Sequence, residues 1–292
     1  MPPRARRRRF SAVPWLFLAP ALILLLYFKF IPMAQGFQMS FFQIRYSGDI
    51  WVGSENYLEV LTSEAFTSAM WHTVILAVGT TGGSIVIGLI LALLVEGQAK
   101  HLWFIRTAAF LPVVTTIAVA AEVWRIMYHP SPDGPLNSII GWFGVAPQPF
   151  LANENSSLLS VMGTGIWRGA PYDMMIFLAG LAGVDRTLYE QAAVDGASVW
   201  KRFTQVTMPA LRAVFVIIFT LAAIRGLRVF TEVFLLTNGA PNGSTEVLMT
   251  LIYKLGFQRN EQGVAAAGSI VLFVATVILT VIVQLMRRRE KV

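Results

Sequence analysis

The chain has 292 residues, of which 55% are hydrophobic and only 13% are charged. Soluble domains average about a quarter charged residues, so this composition excludes an ordinary soluble protein and indicates an integral membrane protein. The sequence contains no cysteine, which excludes disulfides and thiolate metal sites. The formal net charge of +7 would suit nucleic acid, but the basic residues cluster beside apolar runs, which favours lipid headgroups as their neighbours.

Basic clusters stand at both ends of the apolar part of the chain. Arg4 and Arg6–Arg9 precede the first apolar run, and Arg287–Arg289 follow the last. Lys and Arg concentrate on the cytoplasmic side of membrane proteins, so both termini are predicted to be cytoplasmic. The first apolar run is long and no small-x-small cleavage site follows it, so we interpret it as a retained helix rather than a signal peptide.

Long runs without charged residues predict where the chain crosses the membrane. Phe10–Phe28, Ala65–Val95 and Gln262–Met286 each lack Asp, Glu, Lys and Arg. Each is long enough to cross a hydrocarbon layer of ~30 Å as a helix. The same criterion predicts about six spans in one all-α transmembrane domain covering residues 1–292. The predicted spans are 11–34, 66–95, 105–128, 157–184, 212–237 and 262–286.

The predicted topology agrees with the charges of the loops. An even number of spans puts both termini on one side. The inner segments 96–104 and 185–211 carry basic residues, whereas the outer loops are richer in Asp and Glu. This asymmetry follows the positive-inside rule. The predicted outer loops are 35–65, 129–156 and 238–261.

The second predicted span contains a G-x-x-x-G pattern at Gly79 and Gly83. Small residues at this spacing let two helices approach closely. We interpret the pattern as packing within the chain, with a dimer seam as the alternative.

Several ionisable residues fall inside the predicted spans, where a charge is costly and usually faces a cavity or a partner. Aromatic residues lie close to them in sequence and would suit a polar, ring-shaped solute such as a sugar. We expect these residues to border one polar vestibule; interfacial anchoring of the Trp residues and structural ion pairs are the alternatives. The candidate pathway residues are Glu122, Trp124, Arg125, Trp167, Arg168, Tyr172, Asp173, Arg225, Arg228 and Glu232.

The polar segment 185–211 separates the fourth and fifth predicted spans. Thr187 and Glu190 fit a capping box at the start of a short helix over Leu188–Val194. Gly196 can adopt the left-handed conformation that ends a helix. A second helix is predicted to start near Ser198 and to be closed by Pro209. The segment is therefore predicted to dock into another protein, or else to lie on the membrane surface as an amphipathic connector.

No sequence motif for catalysis or nucleotide binding is present. There is no G-x-x-x-x-G-K-[ST], no H-E-x-x-H and no G-x-S-x-G in the sequence. The three histidines, His72, His101 and His129, are scattered. We therefore predict no catalytic residue, no metal site and no cofactor in this chain.

The stretch "EQAAVDGASVWKRFTQVTMPAL" closely resembles the EAA loop of ABC importer permeases. The stretches "FIRTAAFLPVVTTIAVAAEVWRIMYHPSPDGPLN" and "FLLTNGAPNGSTEVLMTLIYKLGF" resemble the carbohydrate-uptake (maltose and glycerol-phosphate type) branch of that family. The resemblance implies a multi-pass permease subunit of the bacterial cell membrane. It also implies a coupling helix between the fourth and fifth spans. The coupling residues it implies are Glu190, Ala192, Ala193, Asp195, Gly196, Ala197 and Pro209.

The same resemblance implies the partners of the chain. These are a second permease subunit, a dimer of ATP-binding subunits that holds ATP and Mg, an extracytoplasmic solute-binding protein, membrane lipid and a sugar-like substrate. Arg225 and Arg228 are unusual for a neutral-sugar pathway and leave room for an anionic or phosphorylated solute. The competing function is a self-sufficient secondary transporter or channel, with Glu122, Asp173 and Glu232 as ion sites.

Overall fold

The computed structural model describes residues 13–97 and 100–289. The predicted basic cluster Arg4 with Arg6–Arg9 and the first two residues of the first predicted span lie outside the described residues. In chain order the α-helices are α1 Val13–Leu25, α2 Ile31–Met39, α3 Glu55–Thr62, α4 Glu64–Val95, α5 Lys100–Val114, α6 Ile117–Met127, α7 Pro135–Gly141, α8 Glu154–Leu181, α9 Arg186–Val194, α10 Val199–Arg202, α11 Met208–Ala210, α12 Arg212–Gly226, α13 Thr231–Leu236, α14 Leu248–Tyr253 and α15 Gln262–Arg289.

Short non-α elements connect these helices. A π-helical turn at Leu26–Phe30 joins α1 to α2 without a break, and Phe203–Thr207 does the same between α10 and α11. A small hairpin follows α2, in which β1 (Phe42–Gln43) pairs antiparallel with β2 (Ile50–Trp51). The protein is therefore a helical structure whose only strands, within the described ranges, are these two short ones.

Three helical stretches are long and apolar enough to cross a membrane: Pro14–Met39, Glu64–Val95 and Gln262–Ile282. No residue in the apolar window of the first is buried, as expected for a helix whose solvent is lipid. Two bent helix pairs raise the number to as many as five among the described residues. α8 has 28 residues, which span about 42 Å at 1.5 Å per residue, but it is more polar.

Two of the predicted spans are broken helices. Residues 105–128 form parts of α5 and α6, which meet at an angle of 97°. Pro112 lies near the end of α5 and Thr116 has an extended backbone, with ψ of 142°. Proline lacks the N–H that an interior helical residue donates, so the helix ends soon after it.

The fifth predicted span, residues 212–237, is also interrupted. α12 ends at Gly226, and α13 begins only at Thr231. The connecting Phe230 has φ of −137° and ψ of −61°, outside the helical region. Glycine is a poor helix former, which accounts for the break at this position. The interruption matters for function because it lies beside the cavity at the centre of the molecule.

The core of the molecule is the close contact between α4 and α8, the most extensive helix pairing in the described structure. A Cβ atom at Gly79 would clash with Met162, and one at Gly83 would clash with Ile166. Both partners lie on α8, so the G-x-x-x-G pattern serves packing within the chain, as predicted. Absence of a side chain at these positions lets the two backbones approach closely.

Among these glycines, Gly88 makes the closest approach to the backbone of α8. A Cβ there would lie 2.8 Å from the Ala170 carbonyl oxygen and 3.0 Å from the Met174 nitrogen. On the same helix, a Cβ at Gly82 would meet nothing within 4 Å. The two glycines therefore form a matched pair for testing the contact.

We expect Gly88→Ala to destabilise the protein by about 1–3 kcal/mol, because overpacking must push the helices apart. Gly82→Ala should stabilise it by about 0.5–1 kcal/mol, since alanine favours a helix over glycine. Thermal unfolding of the purified protein in detergent measures both. Equal effects of the two substitutions would contradict the close contact.

Candidate translocation cavity and coupling segment

A cavity of about 540 Å³ lies between α4, α8, α12 and the break that follows α12. Its size falls within the range of about 300–1,000 Å³ that is typical of small-molecule sites. The wall combines small, polar and charged side chains. The lining residues are Leu76, Ala77, Thr80, Thr81, Ser84, Val113, Val161, Gly165, Arg168, Gly169, Tyr172, Ala222, Arg225, Gly226, Arg228, Val229 and Glu232.

A buried carboxylate ties three helices together beside this cavity. The Asp173 side chain on α8 is only 2% exposed. Its Oδ2 accepts a hydrogen bond of 2.8 Å from the Ser84 hydroxyl on α4. Its Oδ1 lies 3.6 Å from Arg225 Nη2 on α12 and has no hydrogen-bond partner. The Arg225 guanidinium also lies over the Tyr172 ring, 4.8 Å from its centroid, in a cation–π arrangement.

A second ion pair crosses the cavity from α8 to α13. Arg168 Nη1 donates to Glu232 Oε1 at 3.3 Å, and both side chains are partly buried. The Nε of Arg168 is buried without a hydrogen-bond partner. Arg228, on the break between α12 and α13, is exposed to the cavity and makes no ion pair with any carboxylate in the described part of the chain.

The structure brings half of the ten candidate pathway residues to the cavity wall: Arg168, Tyr172, Arg225, Arg228 and Glu232. Asp173 stands behind the wall and contacts it through Arg225. Arg225, Arg228 and Glu232 do not share one continuous helix face, because α12 ends between them. The unwound turn nevertheless directs all three toward the same space.

The remaining candidates lie away from the cavity wall. Trp124 on α6 packs edge to face against Trp167 on α8, with 5.5 Å between ring centroids. Glu122 and Arg125 pair with each other at 2.9 Å, and both side chains are more than half exposed. Ala121 and Trp124 on the same helix pack against Leu76 and Val161. The Glu122–Arg125 pair therefore lies on the exposed face of α6.

Sequence reasoning missed the polar contribution of α4. Thr80, Thr81 and Ser84 line the cavity, but they lie in a run without charge that was interpreted only as a span. A cluster of hydroxyl residues beside Gly79 and Gly83 was the available signal, because such residues hydrogen-bond across helices in membranes.

The predicted coupling segment, residues 185–211, contains the predicted pair of helices, but the first helix starts at a different residue. The capping-box prediction is wrong: α9 begins at Arg186, and its N-cap is Asp185, whose Oδ1 accepts from the Thr187 N–H at 2.9 Å. This hydrogen bond lowers the pKa of Asp185. The cap is therefore strongest above the ordinary pKa of the carboxyl and is lost as the pH falls through the lowered value.

The bend after α9 follows the prediction. Gly196 has φ of +74°, in the left-handed region, and directly follows the C-cap Asp195. Ser198 caps α10 by accepting from the Lys201 N–H. The second helix runs without a break over Val199–Ala210 and ends one residue after Pro209, as predicted. The chain turns by 61° before the next helix begins at Arg212.

The surface of this segment is unusually apolar for a loop. Val194 is 88% exposed, Val199 75% and Trp200 69%. The predicted coupling residues Glu190 and Ala193 are exposed on α9, whereas Ala192 and Ala197 are half-buried. A hydrogen bond of 3.0 Å between the Tyr189 and Thr207 hydroxyls holds α9 against the following helix. The segment is thus a fixed protrusion with an apolar face.

Comparisons with known proteins agree with this arrangement. Residues 84–292 match the family described as "Binding-protein-dependent transport system inner membrane component". The chain belongs to this family. It is 32% identical over 274 residues to the arabinooligosaccharides transport system permease protein AraP of Bacillus subtilis, with 93% of this chain and 87% of the relative covered.

Further relatives cover almost the whole chain. The trehalose/maltose transport system permease protein MalF of Thermococcus litoralis is 29% identical, with 94% of this chain and 93% of the relative covered. A crystal structure of a bacterial alginate ABC transporter, in complex with its pentasaccharide-bound periplasmic protein, superimposes with a TM-score of 0.83 and 26% identity. The superposition covers 95% of this chain and 94% of that chain.

The predicted ABC importer permease is therefore confirmed. The protein is an inner-membrane transport component rather than an enzyme, and ATP hydrolysis takes place on separate subunits. Membership of this family also rules out the alternative, a self-sufficient secondary transporter or channel.

The link between Asp173 and Arg225 should appear in a double-mutant cycle of Asp173→Asn and Arg225→Gln. We expect a coupling energy of about 1 kcal/mol in thermal unfolding, limited by solvent because half of Arg225 is exposed. Asp173→Asn and Arg228→Gln should be additive, since Arg228 does not pair with Asp173. Additivity in both cycles would contradict the link.

Proposed function

We propose that this chain forms half of the translocation pathway for a sugar or sugar derivative in an ATP-driven importer. The observation that carries the proposal is the cavity of about 540 Å³, which has charged and hydroxyl side chains in its wall, inside an otherwise apolar helical chain. Buried charges in membrane proteins mark solute pathways. The curated relatives transport arabinooligosaccharides and trehalose or maltose by name, which supports a carbohydrate solute.

The cavity has the chemistry that a carbohydrate requires. Tyr172 offers an aromatic face, and Thr80 and Thr81 offer hydroxyl groups. Interrupted helices beside a cavity are typical of binding sites in transporters, because unwound backbone is tolerated where it faces water. Among the ten candidate pathway residues, we assign direct contact with the solute to the five that lie on the cavity wall. Asp173, Trp124 and Trp167 position them, and Glu122 and Arg125 border the approach.

The proposed topology has six spans, with α8 as the fourth and both termini in the cytoplasm. This arrangement puts the coupling segment 185–211 inside the cell, and it follows from the distribution of basic residues. It also puts the break after α12 toward the outer half of the membrane. A solute released by an extracytoplasmic solute-binding protein would reach the cavity from that side.

The proposed complex contains this chain, a second permease subunit and two ATP-binding subunits that hold ATP and Mg. No metal-binding cluster of His, Cys, Asp and Glu occurs in the described part of the chain. Closure of the ATP-binding pair moves α9, and the movement passes through the fixed turn at Leu211 into α12. The two permease halves then swing between inward- and outward-facing states around the cavity.

The coupling residues have distinct roles in this proposal. Glu190 pairs with a basic residue of the ATP-binding subunit, because it is an exposed carboxylate on a largely apolar protrusion. The small side chains of Ala192, Ala193 and Ala197 allow the segment to fit closely into a groove of the partner. Asp195 and Gly196 form the bend that sets the angle between the two helices, and Pro209 starts the last turn before the membrane.

Charge reversal by Glu190→Arg should uncouple the importer. Uptake and solute-stimulated ATP hydrolysis in proteoliposomes should both fall several-fold, while the complex still assembles in the membrane. Gln205→Arg, which also adds a positive charge to the exposed surface of this segment, is the control. Normal uptake with Glu190→Arg would refute the contact.

Gly196→Ala tests the bend. Alanine in the left-handed region costs about 1–2 kcal/mol, so α9 should shift and coupling should weaken even though no atom lies within 4 Å of the added methyl group. Gly183→Ala, before α9, adds a Cβ in ordinary contact and without a positive φ. Equal ATP hydrolysis and uptake in the two variants would show that the bend plays no part.

A further inference from the structure

We infer that the substrate of this importer is an acidic carbohydrate, and that Arg228 binds its oxyanion in the cavity. The inference rests on the proposed carbohydrate function and adds the chemical class of the solute. It starts from the charge of the cavity. Three guanidinium groups line it, whereas only Glu232 on the wall and Asp173 behind it are carboxylates. One positive charge remains in excess.

The excess charge belongs to Arg228. Arg168 pairs with Glu232 at 3.3 Å, and Arg225 lies 3.6 Å from Asp173. Arg228 has no such carboxylate within the described ranges. A guanidinium inside the membrane is costly unless an anion or water satisfies it. An arriving anion would gain an interaction that displaces no existing ion pair.

The local backbone places two of the arginines side by side. The Arg228 N–H donates to the Arg225 carbonyl at 3.0 Å, which closes a tight turn at the end of α12. Like charges three residues apart repel each other. A shared anion would convert this repulsion into attraction, and a guanidinium can hold a carboxylate or a phosphate through two parallel hydrogen bonds.

Arg225 can also contribute to binding the anion, because its contact with Asp173 is loose. Its distance to Asp173 exceeds a direct hydrogen bond, and its Nε reaches the Leu221 carbonyl only at 3.4 Å. Its side chain is 49% exposed. Tyr172 lies beneath it, so a sugar ring stacked on the tyrosine would bring its acidic group toward both arginines. Gly165, Gly169 and Gly226 also belong to the wall, where a Cβ atom would meet Thr80, Ser84 and Ala77 on α4, so these glycines serve helix packing.

A neutral sugar would interact less favourably than an acidic one with the guanidinium groups of the cavity wall. Its hydroxyls can accept hydrogen bonds from a guanidinium, but they leave the excess charge of the cavity uncompensated while they displace water. An acidic sugar compensates it. The oxyanion is either the carboxylate of a uronic acid or the phosphate of a sugar ester. Both accept two parallel hydrogen bonds from the N–H groups of a guanidinium.

The test uses the complete importer, with both permeases and the ATP-binding subunits, in lipid nanodiscs. Three probes are titrated by calorimetry: a uronic-acid disaccharide, its carboxyl-reduced neutral counterpart and a hexose phosphate. We expect at least one acidic probe to bind about tenfold or more tighter than the neutral one, because charge-assisted hydrogen bonds contribute that difference. The tighter of the two acidic probes identifies carboxylate or phosphate as the source of the oxyanion.

Variants assign the effect to Arg228. Arg228→Gln should remove the preference for the acidic probe, and Arg228→Lys should retain part of it, since lysine keeps the charge but not the two parallel bonds. Arg259→Gln is the matched control, because Arg259 is exposed and does not line the cavity. It should bind the acidic probe like the unaltered protein.

Two outcomes would overturn the inference in different ways. Equal binding of acidic and neutral probes, unchanged in Arg228→Gln, would refute the acidic substrate and leave the carbohydrate importer standing. Absence of binding of all three probes would refute both, provided that the same nanodiscs still hydrolyse ATP when the solute-binding protein is added.

Discussion

The close contact between α4 and α8 is the constraint on which the rest of the structure depends. Glycines at positions 79, 83 and 88 let α8 lie directly against α4, so a helix with an internal arginine and aspartate can occupy the centre of an apolar chain. A hydrogen bond from Ser84 to Asp173 crosses the same contact. Were the helices further apart, this carboxylate would lose its donor and its position beside Arg225.

Charge is tolerated in this interior because most of it is paired across helices. Asp173 on α8 approaches Arg225 on α12, and Arg168 on α8 pairs with Glu232 on α13. The pairs join the fixed α4–α8 core to the broken fifth segment, which is the part of the molecule that the coupling segment reaches through Leu211. A movement of α12 would therefore alter the ion pairs and the cavity together. In the proposed function, this connection would link the contact with the ATP-binding subunit to the cavity.

Much of the architecture could be predicted from the sequence, because long charge-free runs and basic flanks follow directly from the cost of charge in lipid. The bend at Gly196 was predictable for a similarly local reason. The breaks at Thr115–Thr116 and after Gly226 were not predicted, since Pro112 and Gly226 favour a break but lie within runs long enough to be single spans. The cap at Asp185 was missed because Thr187 and Glu190 offered a competing local pattern.

The cavity itself was only partly predictable. Arg168, Arg225, Arg228 and Glu232 are predictable candidates because charged residues are rare in spans, but Glu122 and Arg125 are charged residues in a span too and lie outside the cavity. Which charges converge on the cavity depends on the tertiary packing of α8, α12 and α13, which a local sequence pattern does not report. The α4 hydroxyls were overlooked because hydroxyl groups are inexpensive in lipid and do not interrupt an apolar run.

The central claim, that water and solute occupy the cavity between α4, α8 and the broken α12–α13 segment, is tested most directly by thiol labelling. The chain has no native cysteine, so Thr81→Cys on the cavity wall and Val86→Cys, exposed on α4 but off the cavity, each carry a unique thiol. A charged thiol reagent reacts with the thiolate, which forms in water and not in lipid. Fast labelling of Thr81→Cys with slow labelling of Val86→Cys in native membranes is the predicted result, and equally slow labelling of both would contradict a water-filled pathway.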